Sequence, residues 1–103
     1  MYVDDDTNPQ DIPITEVIIP EGIRQVGPYA FYGNKQLKKI SFPSTLLTLE
    51  PNCFNNCPNV EEIKYEGTWL DWLNVTKLNN WYSYSWGENC GVNCFDGKFN
   101  VFT

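Results

Sequence analysis

The chain contains no histidine, and that single absence removes Ser-His-Asp and Cys-His catalysis together with the commonest metal ligand. Basic residues are also scarce, with seven Lys and Arg against 13 Asp and Glu and a net charge of −6. Only Lys35, Lys38 and Lys39 stand close together, which argues against nucleic acid as a partner. No stretch approaches the roughly 18 apolar residues of a membrane span, so no membrane insertion is expected. A basic segment followed by an apolar run, the mark of a signal peptide, is missing as well, because Met1-Tyr2-Val3 leads straight into Asp4-Asp5-Asp6. The chain reads either as intracellular or as part of an exported protein.

What is present is aromatic and periodic. Trp, Tyr and Phe make up 16% of 103 residues, which points to one ordered domain with a modest core. The stretch from Val17 to Lys39 is followed by one from Ile40 to Glu62 with the same pattern, a period of 23 residues. Superposition places Pro20 on Pro43, Pro28 on Pro51 and Phe31 on Phe54, with Val17, Ile23, Val26 and Leu37 on Ile40, Leu46, Leu49 and Val60. Ile63 and Tyr65 begin a third unit in register, and the pattern stops at Gly67. Self-similarity at such a period is the signature of a solenoid.

Within a unit, Leu37, Ile40, Phe42 and Pro43 read as a strand closed by a proline that cannot donate to a ladder. Ile14, Val17, Ile19 and Pro20 repeat the arrangement. Leu46 and Leu49 then lead to a turn begun by Pro51 and Asn52 that delivers Phe54 inward, as Ile23, Val26 and Pro28 lead to Phe31. Residues one period apart should stack about 4.8 Å from one another. Lys38 and Lys39 then lie beside Glu61 and Glu62, and one column reads Glu16, Lys39, Glu62 with alternating sign. Exposed pairs of this kind contribute about 0.2–1 kcal/mol each, enough to help set register.

These residues, with the Ala30-Phe31-Tyr32-Gly33 turn, resemble the BspA-like leucine-rich repeat family of bacterial proteins. The resemblance covers Ile12 to Gly67 as repeats and extends to Gly67-Thr68, Trp72 and Cys94-Phe95-Asp96-Gly97, which look like the tail that closes arrays in that family. It implies an α+β repeat fold: a short leucine-rich-repeat solenoid of about two full rungs plus partial ones, with a C-terminal helix and β-hairpin cap. By the same resemblance, Trp72 plugs the open end, Trp81 belongs to the core, and Cys57 and Cys94 occupy positions where the family places cysteine. Cell-surface location and adhesion to host or other surface proteins are likewise what the family implies.

Three regions follow: an acidic, aperiodic segment over 1–11, expected to be mobile or a partial cap; repeats over 12–67; and a cap over 68–103. In the last, Thr68 and Asp71 have capping-box spacing and open a helix from Trp69 to about Thr76. Asn79 to Asn89 reads as an ordered aromatic loop. Asp96-Gly97, between Val92–Phe95 and Lys98–Phe102, signals a two-residue hairpin.

Four cysteines form two pairs of equal spacing, Cys53 with Cys57 and Cys90 with Cys94, a pattern that raises a thiolate zinc site. The repeat favours another reading, because Cys53 falls on the small inward position of Ala30; buried free thiols come first, with a Cys90–Cys94 disulfide as the alternative. No metal or cofactor is assigned. Glu61 with Glu62 and the run Asp4 to Asp6 read as surface charge rather than as an acid–base pair or a calcium loop.

No catalytic residue is assigned, and the chain reads as a non-enzymatic interaction module. Its candidate surface is the outward strand residues: Thr15, Lys38 and Glu61, then Glu16, Lys39 and Glu62, then Ile18, Ser41 and Lys64. A second reading is a glycan-binding module using Trp69, Tyr82, Tyr84 and Trp86, since aromatic faces offer large contact area for little rotamer entropy. The third is assembly, a homodimer formed through the open edge of the solenoid.

Overall fold

The computed structural model describes residues 14–100, and the side chains of 87–89 are not described. The acidic segment expected to be mobile over 1–11, the start of the repeats at Ile12 and the end of the last strand at Phe102 lie outside the described residues. Eight strands and one short helix run in the order β1 (Glu16–Ile18), β2 (Gln25–Val26), β3 (Lys39–Phe42), β4 (Thr48–Leu49), β5 (Glu62–Tyr65), α1 (Trp69–Leu73), β6 (Thr76–Lys77), β7 (Gly91–Cys94) and β8 (Gly97–Asn100). A 3-10 helix, Tyr84–Asn89, precedes β7.

From β1 to β7 odd and even strands go to different sheets, and β8 joins the odd-numbered ones. One sheet has the order β1-β3-β5-β7-β8 and the other β2-β4-β6; every pairing is parallel except the β7–β8 hairpin. The register is the one the period predicts, with Glu16 on Lys39 on Glu62 and Val17 on Ile40 on Ile63. Alternation then sends Val17, Ile40, Ile63 and Val92 into the core, all at 9% exposure or less. The facing sheet contributes Val26 and Leu49, and Leu37, Leu46, Phe54 and Val60 fill the space between. Ile14 and Ile23, expected inward by their match to Leu37 and Leu46, remain 44% and 40% exposed, so the first unit is less enclosed than the second.

Between strands, the turns also stack. Phe31 N–H donates to Cys53 O at 2.8 Å and Phe54 N–H donates to Trp81 O at 2.8 Å. Tyr29, Asn52 and Asn80 share a left-handed backbone, with φ of 59°, 63° and 57°. This column shows that the repeat does not stop at Gly67. Asn79 to Tyr82, expected to be loop, forms a third copy of the turn, in which Trp81 takes the place of Ala30 and Cys53 and Tyr82 that of Phe31 and Phe54. Thr48 pairs with Thr76, 28 residues on, so the third unit is five residues longer than the period.

Those extra residues are accommodated as α1. Its capping box is complete: Asp71 N–H donates to the Thr68 hydroxyl and Thr68 N–H to the Asp71 carboxylate. The helix ends at Leu73 rather than Thr76, because Thr76 and Lys77 are drawn into the second sheet beside β4. Lys77 there occupies the inward column of Val26 and Leu49. Its ammonium bonds Trp72 O at 2.5 Å and Val75 O at 3.1 Å and lies 4.6 Å from the Trp72 ring centre. This satisfies carbonyls at the helix end, while burial lowers the lysine pKa.

The hairpin forms one residue earlier than the Asp-Gly signal places it, since Cys94 pairs with Gly97 and the turn is Phe95-Asp96. Neither turn residue has the positive φ that a type I′ turn requires. Tertiary bonds choose this register: Phe95 N–H donates to Gly67 O at 2.9 Å, and the Asp96 carboxylate accepts Trp69 N–H at 2.9 Å. Gly67 is required here for space, as a Cβ would stand 2.6 Å from the Tyr65 ring.

Asn52 tests the corner column. Asn52→Ala is expected to lower stability in urea unfolding by about 1 kcal/mol, and Asn52→Gly to be close to neutral, because glycine and asparagine tolerate the left-handed region and alanine does not.

Candidate functional site

The outward face of the five-stranded sheet carries six of the nine residues singled out from the period. Glu16, Lys39 and Glu62 lie in one row across β1, β3 and β5, and Ile18, Ser41 and Lys64 in the next. Thr15, Lys38 and Glu61 stand just before these strands, with Thr15 O accepting the N–H groups of both Lys38 and Lys39. Glu62 and Ser41 are half-buried and the other seven exposed. Lys39 and Glu62 approach to 3.9 Å, and Glu62 also accepts from the Asn93 amide at 2.6 Å. Lys64 turns along its own strand to Glu66 at 3.1 Å. The anticipated partnership of Lys38 with Glu61 does not form an ion pair.

Where the strands end, this face opens into a groove of about 500 Å³ whose lining includes Ile18, Pro20, Glu21, Ser41, Glu66 and Phe95. Ile18 and Phe95 are its large exposed apolar residues, 67% and 74% exposed. Phe95 was not among the residues picked from the sequence. Its only signal there was a large apolar residue beside a hairpin turn, and tertiary bonding makes the turn present it. Ser44 holds Glu21 through a 3.0 Å hydrogen bond, and Glu21 has no ion-pair partner among the described residues.

The four aromatic residues considered as ligand platforms differ in exposure, and only Tyr82 and Tyr84 of the four meet, edge to face at 5.6 Å. Trp86 is a correction: it is 3% exposed, its indole N–H donates to Cys57 O at 2.6 Å, and its ring packs edge-on against Trp81 at 5.7 Å. No face is left for a ligand, because the third unit needs bulk to fill the interior near Phe54 and Trp72. Trp69 is half-buried and stacked on Phe99 at 4.4 Å. Tyr82 is half-buried in the phenylalanine column and packs against the core. Tyr84 alone projects, 74% exposed, with its hydroxyl on the Asn80 side chain at 3.0 Å.

All four thiols are free; Cys53, Cys57 and Cys90 are buried and Cys94 half-buried. Cys90 and Cys94 lie four residues apart along extended chain, about 13 Å at 3.3 Å per residue, beyond the 7 Å or so that a disulfide spans. The disulfide alternative is therefore excluded by the strand itself. Burial pushes the Cys53 thiol up to about 12 and Cys90 up to about 11. Among the described residues no group of three or more His, Cys, Asp or Glu side chains could hold a metal ion, and no helix is long and apolar enough to cross a membrane.

A family model described as BspA type leucine rich repeat region (6 copies) matches residues 9–96. The chain belongs to the BspA type leucine-rich repeat family. Repeats of this kind generally mediate protein interactions, which gives a protein-interaction or adhesion module as the class. No curated protein and no solved structure gives a match.

Two measurements follow from this geometry. Trp86→Ala is expected to lower stability by about 3–5 kcal/mol, as for other buried aromatic truncations, with a fall in thermal midpoint as the readout. Because the folded thiols of Cys53 and Cys90 titrate above the ordinary value of 9.0, the unfolded chain loses their protons first. Stability is then expected to be level below pH 9 and to fall from there toward pH 12. Urea unfolding at pH 8, 9 and 10 checks the sign, and replacement of both thiols by alanine should flatten the slope.

Proposed function

We propose that this chain is a non-enzymatic protein-binding module: a short solenoid of two 23-residue rungs and a longer third that contains the helix, closed by the hairpin, that binds its partner on the outward strand face. The observation that carries this reading is the groove between Ile18 and Phe95. Two large exposed apolar residues, Ile18 and Phe95, in a groove that also holds Pro20 and Pro43 and the polar Ser41, Glu21 and Glu66 supply desolvation anchors beside polar groups, the anatomy of a protein interface. The rows of Glu16, Lys39 and Glu62 and of Lys64 with Asn93 border it and would set orientation more than affinity. The lack of histidine supports a non-catalytic role.

The span suits an extended segment. From β1 to β7 there are three strand spacings of about 4.8 Å, about 14 Å in all, the length of four or five extended residues. A partner segment with one aliphatic or aromatic side chain and a cationic side chain near Glu21 fits this surface.

Selection of a displayed random-peptide library on the immobilised chain tests the reading. Peptides with an apolar and a basic residue a few positions apart are expected to be enriched, and Ile18→Ser and Phe95→Ser should each weaken them by about tenfold. Peptides that bind both variants as well as the parent would place the partner surface elsewhere, and light scattering at high concentration would show whether that surface serves self-association.

A further inference from the structure

The corner edge of the repeats, away from the strand face, has a composition of its own. The chain is 19% charged, yet residues 27–34, 51–60 and 78–87 contain no Asp, Glu, Lys or Arg. These three stretches hold the stacked turns, joined by Tyr29 N–H to Pro51 O at 3.2 Å and Asn52 N–H to Asn79 O at 3.1 Å. Along them lie Tyr29, Tyr32 and Tyr84, 60%, 49% and 74% exposed, with exposed Asn56, Asn79 and Asn80. Tyr29 and Tyr32 meet edge to face at 5.4 Å, and the Asn80 side chain holds the Tyr84 hydroxyl at 3.0 Å. The side-chain amides of Asn56 and Asn79 form no hydrogen bond with the described residues.

Tyr29 stands out within this edge. It adopts φ 59° where the next two turns place Asn52 and Asn80. Asparagine takes that backbone readily, whereas a bulky side chain there is strained, and such outliers gather where function holds them. The Tyr29 ring is not buried, and its ring contact among the described residues is the edge-to-face one with Tyr32, so core packing does not offset that strain.

We propose that this edge is a binding site for a neutral oligosaccharide, with Tyr29, Tyr32 and Tyr84 stacking on sugar rings and the Asn56 and Asn79 amides meeting hydroxyls. The amide both donates and accepts, as a sugar hydroxyl does, and the tyrosines offer apolar faces with polar tips. The absence of formal charge along all three turns favours this ligand over a charged peptide or an acidic polymer. Two turns separate Tyr29 from Tyr84, about 10 Å at strand spacing, so the ligand is longer than one sugar ring. The site lies apart from the groove at Ile18 and Phe95 and stands whether or not that groove binds protein.

Isothermal titration calorimetry of the full chain with laminarin, mannan and dextran tests it. Saturable binding to at least one of the three is expected, weakened about tenfold by Tyr84→Ala and by Tyr29→Asn and unchanged by Ile18→Ser. Tyr29→Asn should also unfold at a higher temperature than the parent, because asparagine relieves the left-handed strain. Weaker binding by a more stable protein is an outcome that a merely structural tyrosine would not give. No saturable heat with any of the three polysaccharides, or equal affinity in both tyrosine variants and the parent, overturns the site. Binding of a protein in place of a saccharide through the same tyrosines overturns it too.

Discussion

Backbone hydrogen bonds that leave one turn of the chain and end on the next govern this structure. They run through both sheets and through the corners, from Ile19 N–H to Ser41 O, Leu47 N–H to Arg24 O and Phe54 N–H to Trp81 O. A strand of two residues such as β2 or β4 cannot persist alone. It persists because its neighbours in sequence, one turn away, present the same groups at the same height. Register is thereby tied to spacing, and an insertion is tolerated only where no such bond has to be made. The third unit places its extra residues in α1, between β5 and β6, and returns to register at Thr76 and again at the corner residue Asn80.

The interior responds to the same constraint. Two facing sheets with short strands leave a narrow core, which aliphatic side chains and the parallel pair Phe31 and Phe54, 5.0 Å apart, fill in the first two units. The longer third unit needs more volume, and four aromatic side chains supply it: Tyr65, Trp72, Trp81 and Trp86 contact one another in sequence at 5.4–5.9 Å. Trp81 does this from a position that holds alanine or cysteine in the preceding turns. Polar groups are drawn in only with partners. Buried Ser83 accepts Cys57 N–H and donates to Phe54 O, and Lys77 binds two carbonyls near the end of the helix. No buried side-chain nitrogen or oxygen among the described residues lacks a hydrogen bond.

Surface chemistry is divided by the repeat. Strands present alternating charges outward, because a column of like charges one strand apart would repel, and Lys39 beside Glu62 removes that conflict. Corners present asparagine, serine and tyrosine, and the left-handed backbone there selects asparagine at Asn52, Asn56 and Asn80. One short chain thus offers two faces of unlike character, an ionic sheet with an apolar groove and a neutral aromatic edge. The hairpin joins the first of these by setting Phe95 over the strand ends.

Much of the fold was legible because a solenoid converts sequence period into spatial neighbourhood. The 23-residue spacing alone determined the pairing of Glu16, Lys39 and Glu62, the inward columns through Ile40 and Ile63, and the capping box at Thr68 opened the helix where the spacing said it should. The candidate site was legible in part: the outward rows follow from alternation, but Phe95 and the burial of Trp86 do not. Where the period lapses, neighbours in space are no longer a fixed distance apart in sequence, and local signals have to compete with contacts from elsewhere. At Thr76 the pull of β4 shortened the helix, and at Asp96 the bond to Trp69 N–H shifted the turn by one residue. Sequence by itself determined the repeat, its register and its charged face; tertiary structure decided which aromatic side chains fill the third unit and which remain in water, because that choice depends on the volume left between two sheets rather than on any local pattern.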